Sequence, residues 1–332
     1  MTFEVNENPV SFQSKFGGLW TDSTNADEIL AGKLALGTIS AAEADLLDSW
    51  INNGYVIIKG AVPSSAIDAA QRAIAEVYQQ GRALVETYEY GDVRYAKVKP
   101  RHRTMQHKLL DAYAHSKSIQ DMVMSDKIVR FLNVIFDQPA LAFQGLYFEN
   151  GSQQDIHQDT AYVRVNRPME LDASWIAMED IQEGSGELEY YVGSHRIPEF
   201  LFEGKSKWMP DGSPEHPQFL DHIKTEAARL GLKKERFHAM KGDALIWNAD
   251  LCHGGAPITN KTTRRSFVTH WCPVTTTPVY FNKPKHSGKV QVGEAAYFSY
   301  GFHGHRADPY KHFWRRLSRL SIRQYLQSVL SP

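Results

Sequence analysis

Hydrophobic residues recur at helical spacing in the first part of the chain. Ser40 and Glu43 form a capping box, which predicts a helix that begins there and ends at Gly54. The apolar positions of residues 65–81 fall on one helical face and predict a second helix. The apolar stripe of residues 116–137 predicts a third. Helices are therefore expected to precede the main body of the fold.

From about residue 141 the hydrophobic pattern becomes one of short runs, rich in β-branched and aromatic residues and separated by turn residues. Such a pattern is typical of an all-β sandwich or barrel. The strands predicted along the whole chain are Tyr55–Ile58, Leu141–Phe148, Thr160–Val165, Ala173–Met178, Leu188–Val192, Asp243–Trp247 and Ser266–Trp271. We therefore predict a mainly β fold with flanking helices.

The pattern also suggests how the 332 residues are organised, as one domain with elaborations. We expect a partly irregular N-terminal arm (1–38, with Trp20 and Phe16 docking on the body), a core of about 45–273, and a basic amphipathic tail of about 308–332. Within the core, residues 199–238 form an insertion with a helix at 217–230, and long insertions of this kind often act as lids. The tail is expected to dock on its own domain or on a second subunit, and a membrane-surface helix is the alternative.

Residues 82–110 carry many cations and lack a regular pattern. We interpret them as a solvated loop, and the alternative is a segment that meets an anionic group of a substrate.

Composition narrows the class of protein. The formal net charge of −1 provides no global field for nucleic acid or for an anionic membrane. No apolar run approaches the ~20 residues that span a bilayer, and the N-terminus has no signal-peptide pattern. The two cysteines, Cys252 and Cys272, cannot form a disulfide framework. We expect a cytoplasmic protein that acts on a small molecule, without a nucleic-acid partner, and a homo-oligomer is compatible with the sequence.

One short stretch carries metal-binding chemistry. On a strand, His157 and Asp159 point to the same side because side chains alternate. With a second histidine, His253, they would complete a 2-His-1-carboxylate triad, which suits Fe(II) and leaves positions open for co-substrate and oxygen. Arg264, eleven positions after His253, could hold the distal carboxylate of a keto acid in a bidentate fork. Its neighbour Arg265 would face the other way.

The order and spacing of several motifs together resemble the phytanoyl-CoA dioxygenase family of Fe(II)/2-oxoglutarate-dependent oxygenases. The matching pieces are Asn53-Gly-Tyr-Val-Ile-Ile-Lys-Gly60, His157-Gln-Asp159, Ser174-Trp175-Ile-Ala-Met-Glu179, Gly184-Ser-Gly-Glu-Leu188, Val192-Gly-Ser-His195, Gly242-Asp243, and His253 followed by Arg264. The resemblance covers roughly residues 45–273.

The resemblance implies a double-stranded β-helix, a jelly-roll or cupin-like core. It implies that His157, Asp159 and His253 bind Fe(II), that Arg264 binds the C5 carboxylate of 2-oxoglutarate, and that Trp175 lines the co-substrate pocket. It further implies that O2 is a co-substrate and that a small organic metabolite is hydroxylated with release of succinate and CO2. Relatives that halogenate have a small residue in place of the carboxylate, so the presence of Asp159 argues against halogenation.

Other residues keep alternative interpretations. Gln144 and Tyr147, about one strand before the first ligand, are candidates for the wall of the co-substrate or substrate pocket. Some relatives have a serine two positions after the distal histidine, and Gly255 stands there, which leaves open a second donor to the C5 carboxylate. His270 shares strand parity with Arg264 and could face the cavity.

Five further residues are expected to have no role in catalysis. His195 is expected to be structural, Cys252 and Trp271 to lie in the core, and the pair His303 and His305 to lie in a surface loop. Two functional alternatives also remain, a non-catalytic jelly-roll binding protein and a cupin-type metalloenzyme that uses no keto acid.

Overall fold

The structure is a computed structural model that describes residues 11–89, 92–104, 106–279 and 288–300. These residues form six α-helices and thirteen strands. The helices are α1 (Ala26–Ala35), α2 (Ala41–Asn53), α3 (Ser64–Gln80), α4 (Lys117–Val123), α5 (Asp126–Phe136) and α6 (His216–Arg229). The strands are β1 (Tyr55–Ile58), β2 (Leu84–Glu89), β3 (Asp92–Lys97), β4 (His107–Leu110), β5 (Ala140–Phe148), β6 (Asp172–Ala177), β7 (Leu188–Tyr191), β8 (Lys234–Phe237), β9 (Ala244–Asn248), β10 (His253–Gly255), β11 (Ser266–Pro273), β12 (Gly288–Val292) and β13 (Ala295–Ser299).

The predicted capping box begins α2. The Ser40 hydroxyl accepts a hydrogen bond from the Glu43 backbone N–H (3.3 Å), and Glu43 Oε2 accepts one from the Ser40 N–H (2.7 Å). At the other end Gly54 adopts a left-handed conformation with φ of 79°, which glycine tolerates without a steric penalty. The chain then enters β1 at Tyr55. The sequence predicted both ends of this unit correctly.

The N-terminal arm is more regular than expected. Trp20 docks on the body, where its indole N–H donates to the backbone oxygen of Val134 (3.0 Å). Residues 26–35 form α1, although the arm was expected to be partly irregular. Of the residues of α1 only Ala26 is buried, so the helix lacks the apolar stripe by which it could have been recognised.

Two predicted elements were wrong in detail. The helix predicted over residues 116–137 is divided into α4 and α5, and the hydroxyl of Ser125 at the break donates to the Ala61 carbonyl (2.6 Å). The strand predicted from Thr160 to Val165 is largely a turn, because the Asp159 carbonyl accepts the N–H groups of Tyr162 and Val163 at 2.9 and 2.8 Å. A hydrogen bond to a distant segment accompanies the break at Ser125, whereas local backbone bonds override the hydrophobic pattern after Asp159.

The loop prediction for residues 82–110 was also wrong, because this segment contributes β2, β3 and β4. Glu86 on β2 lies opposite Lys108 on β4, and their side chains form an ion pair at 3.0 Å. Charged side chains paired across strands therefore replace the apolar alternation that usually marks a sheet.

Most strands belong to one large sheet in the order β1-β9-β6-β11-β5-β4-β2-β3. The pairs along this path are antiparallel. The hairpin β12–β13 joins it through a parallel pairing of β13 with β5. The described sheet therefore extends beyond residue 273, the expected limit of the core.

A second sheet, in the order β10-β7-β8, faces the large one. Apolar residues of both sheets form one buried cluster between them, including Trp175 and Trp247 from the large sheet and Leu188, Tyr190 and Phe237 from the small sheet. The other face of the large sheet is covered by α2, α3 and α5. The mainly β architecture with flanking helices agrees with the prediction.

The predicted insertion at 199–238 contains α6, close to the expected helix at 217–230. Its last residues form β8, which pairs with β7 and so belongs to the small sheet rather than to an insertion. Among the described residues no helix is long and apolar enough to cross a membrane. The tail at about 308–332, the pair His303 and His305, and residues 1–10 of the arm lie outside the described residues.

Candidate metal centre

His157 and His253 are brought together by an isolated antiparallel bridge between their backbones. The N–H of each residue donates to the carbonyl of the other at 2.9 Å. Residues opposite each other in an antiparallel pair carry their side chains on the same side. The two imidazole rings accordingly lie with their centroids 4.6 Å apart.

The tautomer of each histidine is set by a backbone carbonyl. Nδ1 of His157 lies 2.7 Å from the Asp155 oxygen, and Nδ1 of His253 lies 2.9 Å from the Leu251 oxygen. A carbonyl can only accept, so Nδ1 of each ring carries the proton and Nε2 presents its lone pair. This is the arrangement in which proteins fix histidines that bind metals.

Asp159 completes the cluster. Its Oδ1 lies 3.6 Å from Nε2 of His157 and 3.6 Å from Nε2 of His253. One ligand atom from each of the three residues falls within 4.8 Å of the others, and all three residues are buried. Because the Asp159 N–H donates to the Ala249 carbonyl at 2.8 Å, the segment that carries it is fixed to the strand end before His253.

The charge state of the cluster suits a divalent cation. Burial by itself raises the pKa of Asp159, but His253 and His270 outweigh burial and hold it well below the usual range. Burial lowers the pKa of His253 to about 4, so this ring is neutral at neutral pH. Two imidazole nitrogens and one carboxylate therefore converge, and this donor set matches that of non-haem Fe(II) oxygenases.

Arg264 lies two residues before β11, in the core between the sheets, and is 3% exposed. Its guanidinium carbon lies 5.7 Å from the ring centroids of both Phe148 and Trp175. One of its terminal nitrogens donates to the hydroxyl of Ser266 at 3.2 Å, and its Nε has no partner among the described residues. Burial lowers the pKa of Arg264 to about 10, so the group is still a cation at neutral pH.

No carboxylate forms an ion pair with Arg264 in the part of the chain that the structure describes. A buried cation without an ion-pair partner is costly unless an anion joins it. The carboxylate of a keto acid meets this need, so the residues present fit 2-oxoglutarate as well as the metal.

Arg265, the rival of Arg264, is engaged elsewhere. Its side chain bonds Glu149 at 2.9 Å and Glu179 at 3.4 Å. Glu149 also receives bonds from Arg103 and from the hydroxyl of Tyr147. Of the two arginines, only Arg264 lies in the core between the sheets.

Gln144 and Tyr147, the two remaining candidates for the pocket wall, lie on opposite faces of the large sheet. Gln144 lies opposite His270 in the β5–β11 register, and its buried Oε1 has no partner among the described residues. His270 Nε2 in turn lies 3.4 Å from Oδ2 of Asp159. Gln144 is therefore the cross-strand neighbour of a residue that contacts the triad. Tyr147 belongs instead to the core on the helix-covered face and bonds Glu149. The structure therefore does not bring Tyr147 to the site.

The structure gives a reason for glycine at position 255. An added Cβ would lie 2.6 Å from the hydroxyl oxygen of Ser152 and 2.7 Å from the backbone nitrogen of Gln153. The serine that some relatives have at this position would collide with the backbone here. The hydroxyl beside Arg264 comes from Ser266 instead, the first residue of β11.

The side chains of His195, Cys252 and Trp271, which were expected to be structural or core residues, lie outside the group of metal ligands. Nε2 of His195 lies 3.2 Å from the Ile51 carbonyl. Cys252 is buried against the segment around α6, and Trp271 lies in the core beneath the helices. The structure thus gives none of these three a place in the triad.

Three residues of the site were missed from the sequence. Ser266 could have been found by its strand parity with Arg264. Trp247, whose indole N–H donates to Oδ2 of Asp159 at 2.8 Å, carries no local signal. Tyr162 was assigned to a strand, whereas its ring lies edge-on to His157 with centroids 5.3 Å apart.

Comparison with known proteins points to the same chemistry. The sequence model of the family described as Phytanoyl-CoA dioxygenase (PhyH) matches residues 50–266, most of the chain. No curated protein matches the sequence.

Several solved structures are similar to this one. The non-heme alpha ketoglutarate dependent carbocyclase SnoK from nogalamycin biosynthesis is 16% identical with a TM-score of 0.55, over 73% of this chain and 87% of SnoK. The epimerase SnoN from the same biosynthesis is 16% identical with a TM-score of 0.54, over 78% of this chain and 98% of SnoN. EctD from S. alaskensis, solved with 2-oxoglutarate and 5-hydroxyectoine, is 15% identical with a TM-score of 0.52, over 71% of this chain and 77% of EctD. At such identities the similarity is one of fold, and the predicted jelly-roll core is confirmed.

Proposed function

The chain belongs to the phytanoyl-CoA dioxygenase family, and on this premise we propose that it hydroxylates a small organic molecule with release of succinate and CO2. It is an Fe(II)- and 2-oxoglutarate-dependent oxygenase that uses O2. One observation carries the proposal. The His157–Asp159–His253 cluster and the unpaired cation of Arg264 lie in the same space between the two sheets, as a keto acid bound at both ends requires.

We assign the roles of the residues as follows. His157 and His253 would bind iron through Nε2, since backbone carbonyls hold their Nδ1 protons, and Asp159 would bind it through Oδ1. Arg264 would hold the C5 carboxylate of 2-oxoglutarate, with the hydroxyl of Ser266 as the second donor. Bound iron and 2-oxoglutarate would supply oxygen activation coupled to decarboxylation.

The core around the co-substrate position would orient it and keep water out. The ring of Trp175 is 1% exposed, and its N–H is unpartnered among the described residues. Gln144 offers an unpartnered carboxamide oxygen beside His270. Such preorganised polar groups in a dry pocket favour one orientation of the bound keto acid.

Tyr162 and His216 mark the side from which we infer that the substrate approaches. Tyr162 is 41% exposed while its ring contacts His157, and its hydroxyl lies 2.6 Å from Nε2 of His216 at the start of α6. A molecule bound over the triad would meet this pair. Tyr162→Phe should therefore change the KM for substrate more than the KM for 2-oxoglutarate.

We also propose an anionic group on the substrate, and the argument for it rests on the cations of residues 94–108 alone. Arg103 is paired with Glu149, and Lys108 is paired with Glu86. Candidate substrates should therefore include neutral and anionic molecules. A cytoplasmic location, expected from the cysteine content, remains a prediction.

Hydroxylation is proposed over other outcomes because Asp159 is intact, which argues against halogenation. SnoK and SnoN, with similar folds, are described as a carbocyclase and an epimerase. Product analysis under 18O2 separates the outcomes, because succinate takes up one labelled atom in every case and only hydroxylation places the other in the product formed from the substrate.

Anaerobic addition of Fe(II) and 2-oxoglutarate tests the proposal. We expect a weak visible metal-to-ligand charge-transfer band that disappears in His157→Ala and needs more 2-oxoglutarate in Arg264→Gln. A protein that binds Fe(II) but gives no band would be a metalloenzyme without a keto acid. One that binds neither would be a non-catalytic binding protein. Screening metabolites for stimulated succinate formation then identifies the substrate.

A further inference from the structure

Asp250 lies between the two metal-binding segments, three positions before His253, and contacts the residues on both sides of Asp159. Its Oδ1 accepts a hydrogen bond from the hydroxyl of Thr160 at 2.6 Å. Its backbone oxygen accepts one from the side-chain amide of Gln158 at 2.8 Å. The bond from the Asp159 N–H to the Ala249 carbonyl and the two backbone bonds between His157 and His253 join the same two segments.

The other carboxylate oxygen of Asp250 is paired with Lys207, which comes from the insertion before α6. The side chains of Lys207 and Asp250 are 2% and 4% exposed, so the pair is shielded from solvent. Lys207 also contacts Glu199 at 3.3 Å. The cation thus removes the penalty for burying the Asp250 carboxylate, which can then accept the Thr160 bond.

We propose that Lys207 and Asp250 are positioning residues that set the metal affinity of the His157–Asp159–His253 centre, acting through Thr160 and Gln158. On this proposal the insertion that carries Lys207 helps to hold the metal ligands in place, in addition to any role as a lid. The Met209 N–H, two positions after Lys207, donates to the Ala161 carbonyl at 2.9 Å, a second link from the insertion to the ligand segment. Groups that orient metal ligands from outside typically change metal affinity or activity by about 10–100-fold.

The proposal rests on the proposed metal-binding function, and Co(II) alone, added anaerobically in place of Fe(II), is the probe. The first variant is Thr160→Val, which keeps the side-chain volume and leaves the Lys207–Asp250 pair intact. Its matched control is Thr276→Val. Thr276 is another buried threonine that donates to a carboxylate, that of Glu170 near the far end of β11.

We expect Thr160→Val to weaken Co(II) binding by about 10-fold and Thr276→Val to leave it unchanged. A merely structural role would lower the melting temperature of both variants and leave Co(II) affinity equal. Lys207→Gln should weaken binding at least as much as Thr160→Val. Its control is Lys205→Gln, an exposed lysine of the same segment that pairs with Glu203.

The outcomes separate the inference from the proposed function. If wild-type protein does not bind Co(II), or if His157→Ala binds it equally well, the proposed metal centre fails. If wild-type protein binds Co(II) and Thr160→Val binds it with the same affinity, only the positioning role is overturned. If Lys207→Gln does not fold, the positioning role is tested by the Co(II) affinities of Thr160→Val and Thr276→Val alone.

Discussion

The indole N–H of Trp247 donates a 2.8 Å hydrogen bond to Oδ2 of Asp159, the oxygen that does not face the two ligand histidines. Oδ1 of the same carboxylate lies 3.6 Å from Nε2 of His157 and of His253. The protein therefore uses one oxygen to orient the group and leaves the other for the metal. The Trp247 ring also packs on His253, with centroids 4.6 Å apart.

Replacing Trp247 by Phe should lower Fe(II) affinity by about 10-fold or more, because the ring contact persists while Asp159 loses the bond that orients it. Anaerobic Fe(II) titration measures the effect. Trp271→Phe is the matched control, since it loses a 2.9 Å indole bond to Ser174 in the core on the helix-covered face. Equal Fe(II) affinities for the two variants would contradict a special role for Trp247.

Arg264→Gln should raise the Kd for 2-oxoglutarate by at least about 30-fold, since loss of a buried, hydrogen-bonded charge pair costs about 2–5 kcal/mol. The charge-transfer band, titrated with 2-oxoglutarate, reports the change. Arg265→Gln is the control. It should keep wild-type affinity but lower the melting temperature, because Arg265 holds Glu149 and Glu179. If only Arg265→Gln weakened 2-oxoglutarate binding, the roles of the two arginines would be reversed.

The helices and strands with a strong local signal were predictable from the sequence. The capping box of α2 and the run of β1 each depend on neighbouring residues alone. The strands β2 and β4 were missed, because their charged residues are satisfied by partners on another strand, as Glu86 is by Lys108. Pairing of this kind is not visible until the register is known.

The residues of the candidate site also fall into two groups, those with a signal in the sequence and those without one. His157, Asp159, His253 and Arg264 were found through their spacing and the family resemblance. Trp247 bonds Asp159 from 88 positions away along the chain, and Asp250 bonds the two neighbours of Asp159, Thr160 and Gln158, from 90 and 92 positions away. A contact that exists only after the strands have paired leaves no spacing to recognise, so the residues that orient the ligands could not be identified from the sequence.

Gly255→Ser should destabilise the fold without tightening 2-oxoglutarate binding. The new Cβ would lie 2.7 Å from the backbone nitrogen of Gln153, and overpacking of this kind costs about 1–3 kcal/mol. A thermal melt measures the loss. Gly32→Ser serves as the control, because nothing lies within 4 Å of its Cβ position on α1. A Gly255→Ser protein that was fully stable and bound 2-oxoglutarate more tightly would show that the position accepts the serine of some relatives.

The last prediction concerns pH and His195. Burial lowers the pKa of this ring from 6.5 to about 4, and the ring packs so closely on Gly54 that a Cβ there would lie 2.4 Å from Nδ1. Above pH 6.5 the ring is neutral in the folded and unfolded states and makes no pH-dependent contribution. As the pH falls from 6.5 to about 4, the unfolded chain binds the proton more readily. The free energy of unfolding then decreases, by up to about 3 kcal/mol for this group.

Replacing His195 by Gln should therefore flatten the acid limb of the stability curve, measured as the urea midpoint between pH 7 and pH 4. The comparison uses slopes, because the substitution also changes packing at every pH. His222→Gln, at a half-buried histidine of α6 with Nε2 2.7 Å from the Pro198 carbonyl, is the comparison variant. Curves for wild-type and His195→Gln protein that ran parallel over this range would show that His195 takes up its proton equally well in the folded state.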